Sequence, residues 1–209
     1  MKVLIACEYS GKVRDAFINA GHDAISCDLL EGEGQYHKDH YKGNVFDIIN
    51  NTRNYESFKN IDLLIAFPPC TFLCSSGLHW NKRVDGRQEK TEKALEFVSA
   101  LLNSNIPKIA LENPIGCIST RIRKWDQIIQ PHEFGHDASK KTCLWLKGLP
   151  KLIGTEYIEP SIINGKKIWA NQTPSGQNKL GPSKDRWKLR STTYQGIADA
   201  MAQQWGTIK

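Results

Sequence analysis

The sequence contains no C-x-x-C pair, no long apolar run and no internal repeat. Because no cysteines are paired at metal-ligand spacing, the sequence argues against a structural zinc site, and we expect no bound metal. The first apolar run ends at Glu8, which is too short for a signal peptide or a membrane helix. We therefore expect a cytoplasmic protein without a membrane partner, in which the cysteines are free thiols. The cysteines are Cys7, Cys27, Cys70, Cys74, Cys117 and Cys143.

Charge is distributed unevenly along the chain. The 209 residues, 40% of them hydrophobic, are enough for one compact domain with a buried core. The formal net charge is +6, and residues 147–190 hold this whole excess, with nine Lys or Arg against three Asp or Glu. A local basic excess indicates a polyanionic partner, nucleic acid first, although a solvated basic surface has the same composition.

The apolar pattern predicts alternating strands and helices. Residues 2–7 and 24–28 are short apolar runs typical of buried strands, and Gly11 opens a helical pattern between them. This β-α-β order predicts an α/β fold with a mostly parallel central sheet. We expect further strands at 44–48, 61–67, 108–111 and 142–146, further helices at 89–103, 118–129 and 193–205, and a mobile polar loop at 71–88. Residues 147–189 are expected to form a small irregular insertion in a domain made of 1–146 and 190–209.

Two groups of residues at predicted strand ends suggest a cofactor site, because ligands of open parallel sheets bind at the carboxyl ends of strands. Cys7-Glu8-Tyr9-Ser10-Gly11 is a strand-turn-helix junction suited to a nucleotide-like cofactor, although it lacks the G-x-G-x-x-G pattern. Asp28 ends the second strand, where an acidic residue typically binds ribose hydroxyls. A solvated Asp is the alternative.

Cys70 and Glu112 follow two other predicted strands. Pro68 and Pro69 stiffen the backbone before Cys70, and a partly exposed thiol in such a place can form a thiolate. Glu112 is costly to bury unless it has a partner or a function. A buried structural cysteine and a helix-capping glutamate are the alternatives, and thiol chemistry alone favours the structural cysteine.

These motifs together resemble those of the DNA cytosine-C5 methyltransferase family, in the short form found in phages and prophages. Pro69-Cys70 and Glu112-Asn113 match the family's Pro-Cys and Glu-Asn motifs in identity, order and strand context. Residues 3–17 resemble its first cofactor motif, and residues 194–198 resemble its last motif. The resemblance covers residues 2–146 and 190–206.

The resemblance implies a Rossmann-like S-adenosylmethionine-dependent methyltransferase fold that acts on double-stranded DNA with a flipped-out cytosine. Cys70 would add to carbon 6 of the cytosine, and Glu112, with Asn113 beside it, would stabilise the charge that develops in the ring. The residues implied for S-adenosylmethionine are Cys7, Glu8, Tyr9, Ser10, Gly11, Asp28, Asp47, Phe67 and Pro68.

Two features depart from the family. Its Gln-x-Arg-x-Arg motif is not evident, and Lys140 or Lys141 stands where a guanidinium is expected, with Lys141 as our candidate. Arg121 and Arg123 are rival candidates, although they come early in the chain. The target-recognition region is also short, and the nucleic-acid contacts implied there are Lys166, Lys167, Lys184, Arg186 and Lys188.

Two other functions are consistent with these departures. The small recognition region suits an enzyme that modifies carbon 5 of a free pyrimidine nucleotide. The altered cofactor loop and the missing arginine motif suit an inactive nucleic-acid binder that keeps the fold.

Overall fold

The computed structural model describes residues 1–51 and 59–208, which contain a seven-stranded sheet with the order β3-β2-β1-β4-β5-β7-β6. The strands are β1 (Lys2–Ala6), β2 (Asp23–Asp28), β3 (His40–Lys42), β4 (Leu63–Ala66), β5 (Lys108–Pro114), β6 (Gln127–Ile129) and β7 (Thr142–Lys147). Strands β1 to β5 pair in parallel, and β7 runs antiparallel to both β5 and β6. The expected Rossmann-like α/β fold with a mostly parallel central sheet is confirmed.

Helices cover both faces of the sheet. They are α1 (Lys12–Asn19), α2 (Val45–Ile49), α3 (Ser75–Leu78), α4 (Arg87–Leu102), α5 (Ile118–Arg121), α6 (Arg186–Ser191) and α7 (Gln195–Trp205). Successive strand residues face opposite sides. Leu4 and Leu64 therefore pack in the layer with α4, whereas Ile5 and Ile65 pack in the layer with α1 and α7. Burial on both faces explains why the central strands are apolar without alternation.

The predicted strand at 44–48 is wrong, because residues Val45–Ile49 form α2. The Asn44 side chain accepts a hydrogen bond from the backbone N–H of Phe46 and so caps this helix. On the edge away from β1, β2 pairs with β3, a strand that the sequence pattern does not predict.

The predicted helix at 118–129 is wrong beyond Arg121. Residues Gln127–Ile129 form β6 and pair with β7, and the Asp126 carboxylate accepts a hydrogen bond from the Leu146 N–H at 2.6 Å. A short apolar run fits a helix or a strand equally well until its partner is known. The predicted loop at 71–88 contains α3 and helical turns at Cys70–Phe72 and His79–Lys82.

The stretch 147–189 contains a hairpin of β8 (Ser161–Ile163) and β9 (Lys166–Ile168), followed by the start of α6. Its backbone is tied to the main domain: Ile158 N–H donates to the His132 carbonyl at 2.8 Å, and Ile153 N–H donates to Gln204 at 2.8 Å. The division of the chain at 147 and 189 stays a prediction.

Within residues 1–51 and 59–208, no helix has the length and apolar character needed to cross a membrane. In the same ranges, no three His, Cys, Asp or Glu side chains are grouped so that they could hold a metal ion.

Candidate active site

Cys70 lies just beyond the carboxyl end of β4, in the middle of the sheet. The backbone leaves β4 beside β1, where Phe67 N–H donates to the Ala6 carbonyl at 2.9 Å. Pro69 is extended (φ −55°, ψ 122°), and Cys70 begins a helical turn directly after it. The two prolines thus hold a half-buried thiol at the edge where ligands of parallel sheets bind.

Glu112 and Asn113 lie on β5, which extends to Pro114 and pairs with β7 along this whole length. The Asn113 side chain is 1% exposed, and its Nδ2 donates to the Pro68 carbonyl at 2.7 Å. This bond joins the end of β5 to the turn that carries Cys70. The other side-chain atom, Asn113 Oδ1, is buried and has no hydrogen-bond partner among the residues that the structure describes.

The Glu112 carboxyl lies beside Thr142 and Lys140. Burial raises its pKa, and the Lys140 ammonium and a hydrogen bond from the Thr142 side chain oppose this rise. The charge of the Lys140 ammonium also favours the thiolate form of Cys70. The Lys140 Nζ donates to the Arg190 carbonyl at 2.7 Å. A small cavity joins these groups to the start of α7, and its walls include Phe67, Glu112, Lys140, Thr142, Tyr194 and Ile197.

The structure places Lys140, not Lys141, beside Glu112. Lys141 is exposed, and its charge favours the thiolate form of Cys143 instead. Both lysines precede β7, and Lys140 is held by the hydrogen bond from its Nζ to the Arg190 carbonyl, on the wall of the cavity that Glu112 and Thr142 also line. Arg121 is paired with Glu92 at 2.7 Å and Arg123 with Asp126 at 2.8 Å, so both guanidinium groups already have carboxylate partners outside this site.

Cys74, to which the sequence pattern assigns no role, lies one helical turn after Cys70, and its Sγ is 3.3 Å from the Ser76 hydroxyl. The spacing of four residues puts both cysteines on one side of a helical turn, in which Cys74 N–H donates to the Cys70 carbonyl at 3.0 Å. The interaction between the two thiols lowers the pKa of Cys74 and, together with burial, raises the pKa of Cys70. The four-residue spacing was visible in the sequence, but only the helical turn makes it a contact.

The predicted cofactor loop forms a tight junction between β1 and α1. Cys7 has a left-handed backbone (φ 59°), and so has Gly11 (φ 72°), where a Cβ atom would meet the Arg14 guanidinium. Glu8 is 4% exposed, and its carboxylate accepts hydrogen bonds from the N–H groups of Val13 (2.7 Å) and Arg14 (3.2 Å). Ser10 Oγ also donates to Glu8, at 3.4 Å. Glu8 therefore occupies the N-terminus of α1 itself.

Asp28 and Asp47 lie near each other at the carboxyl edge of β2. Burial is the main cause that raises the pKa of the Cys27 thiol, and the negative charges of both carboxylates raise it further. Asp28 accepts a hydrogen bond from Leu30 N–H at 3.0 Å, and Asp47 accepts one from the Tyr41 hydroxyl at 2.8 Å. Leu29, next to Asp28, is 74% exposed. The structure thus brings together the two acidic residues that the resemblance implies for the cofactor.

The residues implied for nucleic acid are divided between two places. Lys166 and Lys167 are exposed on β9, and Lys184 is exposed before α6. Lys188 instead reaches the cofactor loop, where its Nζ lies 3.1 Å from Glu33 and over the rings of Tyr9 and Trp187. The Tyr9 hydroxyl donates to the Lys188 carbonyl at 3.0 Å, so α6 covers Tyr9. Arg186, half-buried on α6, lies in the same segment.

No protein-family model and no curated protein matches the chain. One solved structure similar to it in part is a DNA modification methyltransferase encoded within an E. coli prophage (13% identity, 78% of this chain, 53% of that chain, TM-score 0.46). A second is a mutant of Spodoptera frugiperda DNMT2 (17% identity, 80% of this chain, 57% of that chain, TM-score 0.40). A third is the S. pombe Dnmt2 methyltransferase (13% identity, 72% of this chain, 51% of that chain, TM-score 0.41). This chain spans about half the length of those chains. At these identities and TM-scores, the similarity carries no argument about function. Any proposal for the activity, substrate or partners of this chain must be argued from the residues of its own site.

The sheet order and the position of the site define the class. This is a Rossmann-like α/β protein with a cysteine, a glutamate and a lysine at the carboxyl edge of its central strands.

Proposed function

We propose that this chain transfers a methyl group from S-adenosylmethionine to carbon 5 of a cytosine in DNA, through a covalent adduct to Cys70. The observation that carries the proposal is the meeting of Cys70, Glu112 and Lys140 at one edge of the sheet, with Asn113 joining the two strand ends. A thiol nucleophile, a carboxyl group biased toward its protonated form and a cation are the groups that addition to a pyrimidine ring needs.

The chemistry follows from the placement of these groups. Cys70 Sγ forms a bond to carbon 6 of the cytosine, and the electron pair of the carbon 5–carbon 6 double bond shifts into the ring. The Glu112 carboxyl hydrogen-bonds ring N3 and the amino group, and the Lys140 ammonium stabilises the charge that develops. Carbon 5 would then accept the methyl group as the bond from the methyl to the sulfonium sulfur breaks. The proton on carbon 5 would leave to water, and the bond from Sγ to carbon 6 would break and release Cys70 as a thiolate. S-adenosylmethionine, when bound, supplies the electrophilic methyl group on its sulfonium sulfur.

The cofactor loop supports a cofactor without phosphate groups. In dinucleotide-binding folds, the pyrophosphate lies at the N-terminus of the first helix. Here the Glu8 carboxyl group takes that place and accepts hydrogen bonds from the N–H groups of Val13 and Arg14, so these N–H groups are not free to bind a phosphate. S-adenosylmethionine carries no phosphate, and Asp28 and Asp47 would hold its ribose and adenine.

The test is methylation of unmodified duplex DNA, followed by mass analysis of the nucleosides. We expect 5-methylcytosine from the wild type, none from Cys70→Ser, and wild-type amounts from Cys117→Ala, a control at a buried cysteine outside the proposed chemistry. DNA containing 5-fluorocytosine is expected to trap a covalent complex only when S-adenosylmethionine is present. Absence of that complex, with cofactor bound and Cys70 intact, would refute the proposal.

A free pyrimidine nucleotide is the second candidate substrate. The observation that favours it is the ion pair of Lys188 with Glu33, which takes one of the implied nucleic-acid contacts away from a polyanion. Turnover of a cytidine mononucleotide, together with no binding of duplex DNA at low salt, would select this alternative.

A further inference from the structure

The helix α6 carries two side chains that contact the cofactor loop and to which the proposed chemistry assigns no role. Trp187 and Lys188 lie outside the stretches that resemble the family, residues 2–146 and 190–206. The Lys188 Nζ lies 3.1 Å from the Glu33 carboxylate, and the centroid of the Trp187 ring lies 5.8 Å from that of Tyr9. The insertion thus folds back onto the part of the site that is expected to hold the cofactor.

Surface contacts, and not the core, hold α6 in this position. None of its six residues, all of which the structure describes, is buried, and the Trp187 and Leu189 side chains are 50% and 60% exposed. The Tyr9 hydroxyl donates to the Lys188 carbonyl at 3.0 Å and lies 3.3 Å from Thr192 Oγ1, and the Lys188 Nζ lies 5.6 Å from the centre of the Tyr9 ring. An element with few buried apolar contacts depends on individual contacts of this kind for its place.

The partner of Lys188 is itself firmly held. Glu33 N–H donates to the Tyr9 carbonyl at 2.7 Å, and the Glu33 carbonyl accepts a hydrogen bond from the Arg14 guanidinium at 2.6 Å. Arg14 is 0% exposed and also donates to the Ser26 hydroxyl at 2.9 Å. Glu33 is therefore anchored to α1 and β2, and the Lys188–Glu33 ion pair joins α6 to a fixed point of the cofactor loop.

The far end of α6 reaches the other half of the site. The Arg190 carbonyl accepts a hydrogen bond from the Lys140 Nζ at 2.7 Å, and Lys140 lines the cavity beside Glu112. One short helix therefore borders both the cofactor loop and the cavity that contains the active-site glutamate. The residues that would hold the methyl donor and those that would activate its acceptor share this element.

We propose that α6 forms a wall of the cofactor site and that Lys188 is the positioning residue that holds this wall against the cofactor loop. The inference rests on the proposed function for the identity of the ligand, S-adenosylmethionine. Lys188 acts through Glu33 and Tyr9 and makes no bond to the cofactor. Its role differs from the nucleic-acid contact that the resemblance implies, because its ammonium is paired with a carboxylate and lies over two aromatic rings.

The first test is calorimetry of S-adenosylmethionine binding. Lys188→Ala should weaken binding about fivefold or more, because it removes an ion pair and a cation–π contact. Lys188→Arg should recover most of the affinity, since a guanidinium pairs with a carboxylate and stacks on aromatic rings. Lys179→Ala, at an exposed lysine elsewhere in the insertion, is the matched control and should bind the cofactor as the wild type does.

A double-mutant cycle assigns the effect to the ion pair. Glu33→Gln should weaken cofactor binding as Lys188→Ala does, and the double variant should bind no more weakly than either single variant, because both changes remove one contact. In methyl transfer, Lys188→Ala should raise the KM for S-adenosylmethionine with little change in the KM for DNA. Fully additive losses in the double variant would show that Lys188 does not act through Glu33 and would overturn the inference.

Amide hydrogen exchange of the peptide that contains residues 186–192 gives a readout without any ligand. Exchange should be about fivefold faster in Lys188→Ala than in the wild type, because an exposed ion pair that holds α6 is lost. Lys179→Ala should exchange at the wild-type rate. If exchange in Lys188→Ala is unchanged, the ion pair does not hold α6 and the inference fails.

Two further outcomes would overturn the inference. If Lys188→Ala weakens the binding of duplex DNA and leaves cofactor binding unchanged, then Lys188 is a nucleic-acid contact. If Lys188→Ala binds S-adenosylmethionine more tightly, then α6 obstructs the cofactor site and is not its wall. A wild type that binds no S-adenosylmethionine would refute the proposed function, and the hydrogen-exchange result would then decide whether Lys188 holds α6 on this loop.

Discussion

At the scale of single residues, the site depends on polar groups that are buried with specific partners. Asn113 shows this most directly, because the hydrogen bond from its Nδ2 ties β5 to the carbonyl of Pro68, two residues before Cys70. Glu112 and Lys140 complete the set, because burial raises the pKa of Glu112 and the Lys140 ammonium opposes that rise. A buried polar side chain without such partners would cost free energy, so these contacts give the site its geometry.

Glu8 predicts a pH dependence of stability. Burial raises its pKa from 4.5 to about 7, although hydrogen bonds from Val13 and Arg14 oppose the rise. The folded state therefore binds a proton more tightly than the unfolded state. The stability from this group is complete below about pH 4.5 and is lost as the pH rises through about 7, a change of roughly 3 kcal/mol.

Urea unfolding of Glu8→Gln at several pH values checks this prediction. The stability of the wild type relative to the variant should fall between pH 5 and pH 8, because glutamine does not titrate. Glu96→Gln, on the exposed side of α4, serves as the matched control. A constant difference between wild type and Glu8→Gln across this range would contradict the prediction.

At the scale of elements, pairing decides what the local pattern leaves open. Residues 127–129 become a strand because β7 offers a free edge, and residues 45–49 become a helix because Asn44 caps them. The C-terminal helix α7 is placed by burial: Trp205 is 0% exposed, and its indole N–H donates to the Pro150 carbonyl at 3.1 Å. This packing brings Tyr194, at the start of α7, into the wall of the cavity beside Glu112.

Trp205 should therefore contribute strongly to stability. Replacement by alanine removes a fully buried ring and leaves a cavity under α7, and we expect a loss of about 3–5 kcal/mol in the free energy of unfolding. Trp205→Phe, which keeps an aromatic ring, should lose clearly less. Denaturant unfolding measures both, and Trp187→Ala, at a half-exposed tryptophan on α6, is the control. Equal losses for Trp205→Ala and Trp187→Ala would show that α7 is not anchored in this way.

At the scale of the whole molecule, residues 147–190 carry the whole net charge of +6, but their lysines differ in their surroundings. Lys166 and Lys167 are exposed on β9, whereas Lys188 is paired with Glu33. The first two are therefore the better candidates for contacts with a polyanion, because their charges are available to solvent.

DNA binding should depend on salt through these exposed lysines. The variant Lys166→Ala/Lys167→Ala should bind duplex DNA more weakly at low salt, and the slope of log affinity against log salt should become shallower by about 2. The control variant Lys12→Ala/Lys93→Ala removes two exposed lysines outside the insertion. Fluorescence anisotropy at several salt concentrations gives both slopes. An unchanged slope in the Lys166/Lys167 variant would place the DNA contacts elsewhere.

The sequence by itself determined the fold class and the order of the candidate motifs. Apolar runs such as Leu63–Ala66 need burial on both faces, and the prolines before Cys70 end that strand whatever surrounds it. These are local properties, so a linear pattern expresses them.

Tertiary structure alone decided which residues meet. Lys140 rather than Lys141 lies beside Glu112, where the Arg190 carbonyl on α6 accepts a hydrogen bond from the Lys140 Nζ. Cys74 lies one turn after Cys70 because a helical turn follows the two prolines, and α6 covers Tyr9 because the Tyr9 hydroxyl donates to the Lys188 carbonyl. Contacts of this kind join residues from separate elements, and their free energy depends on packing that no single stretch of sequence contains.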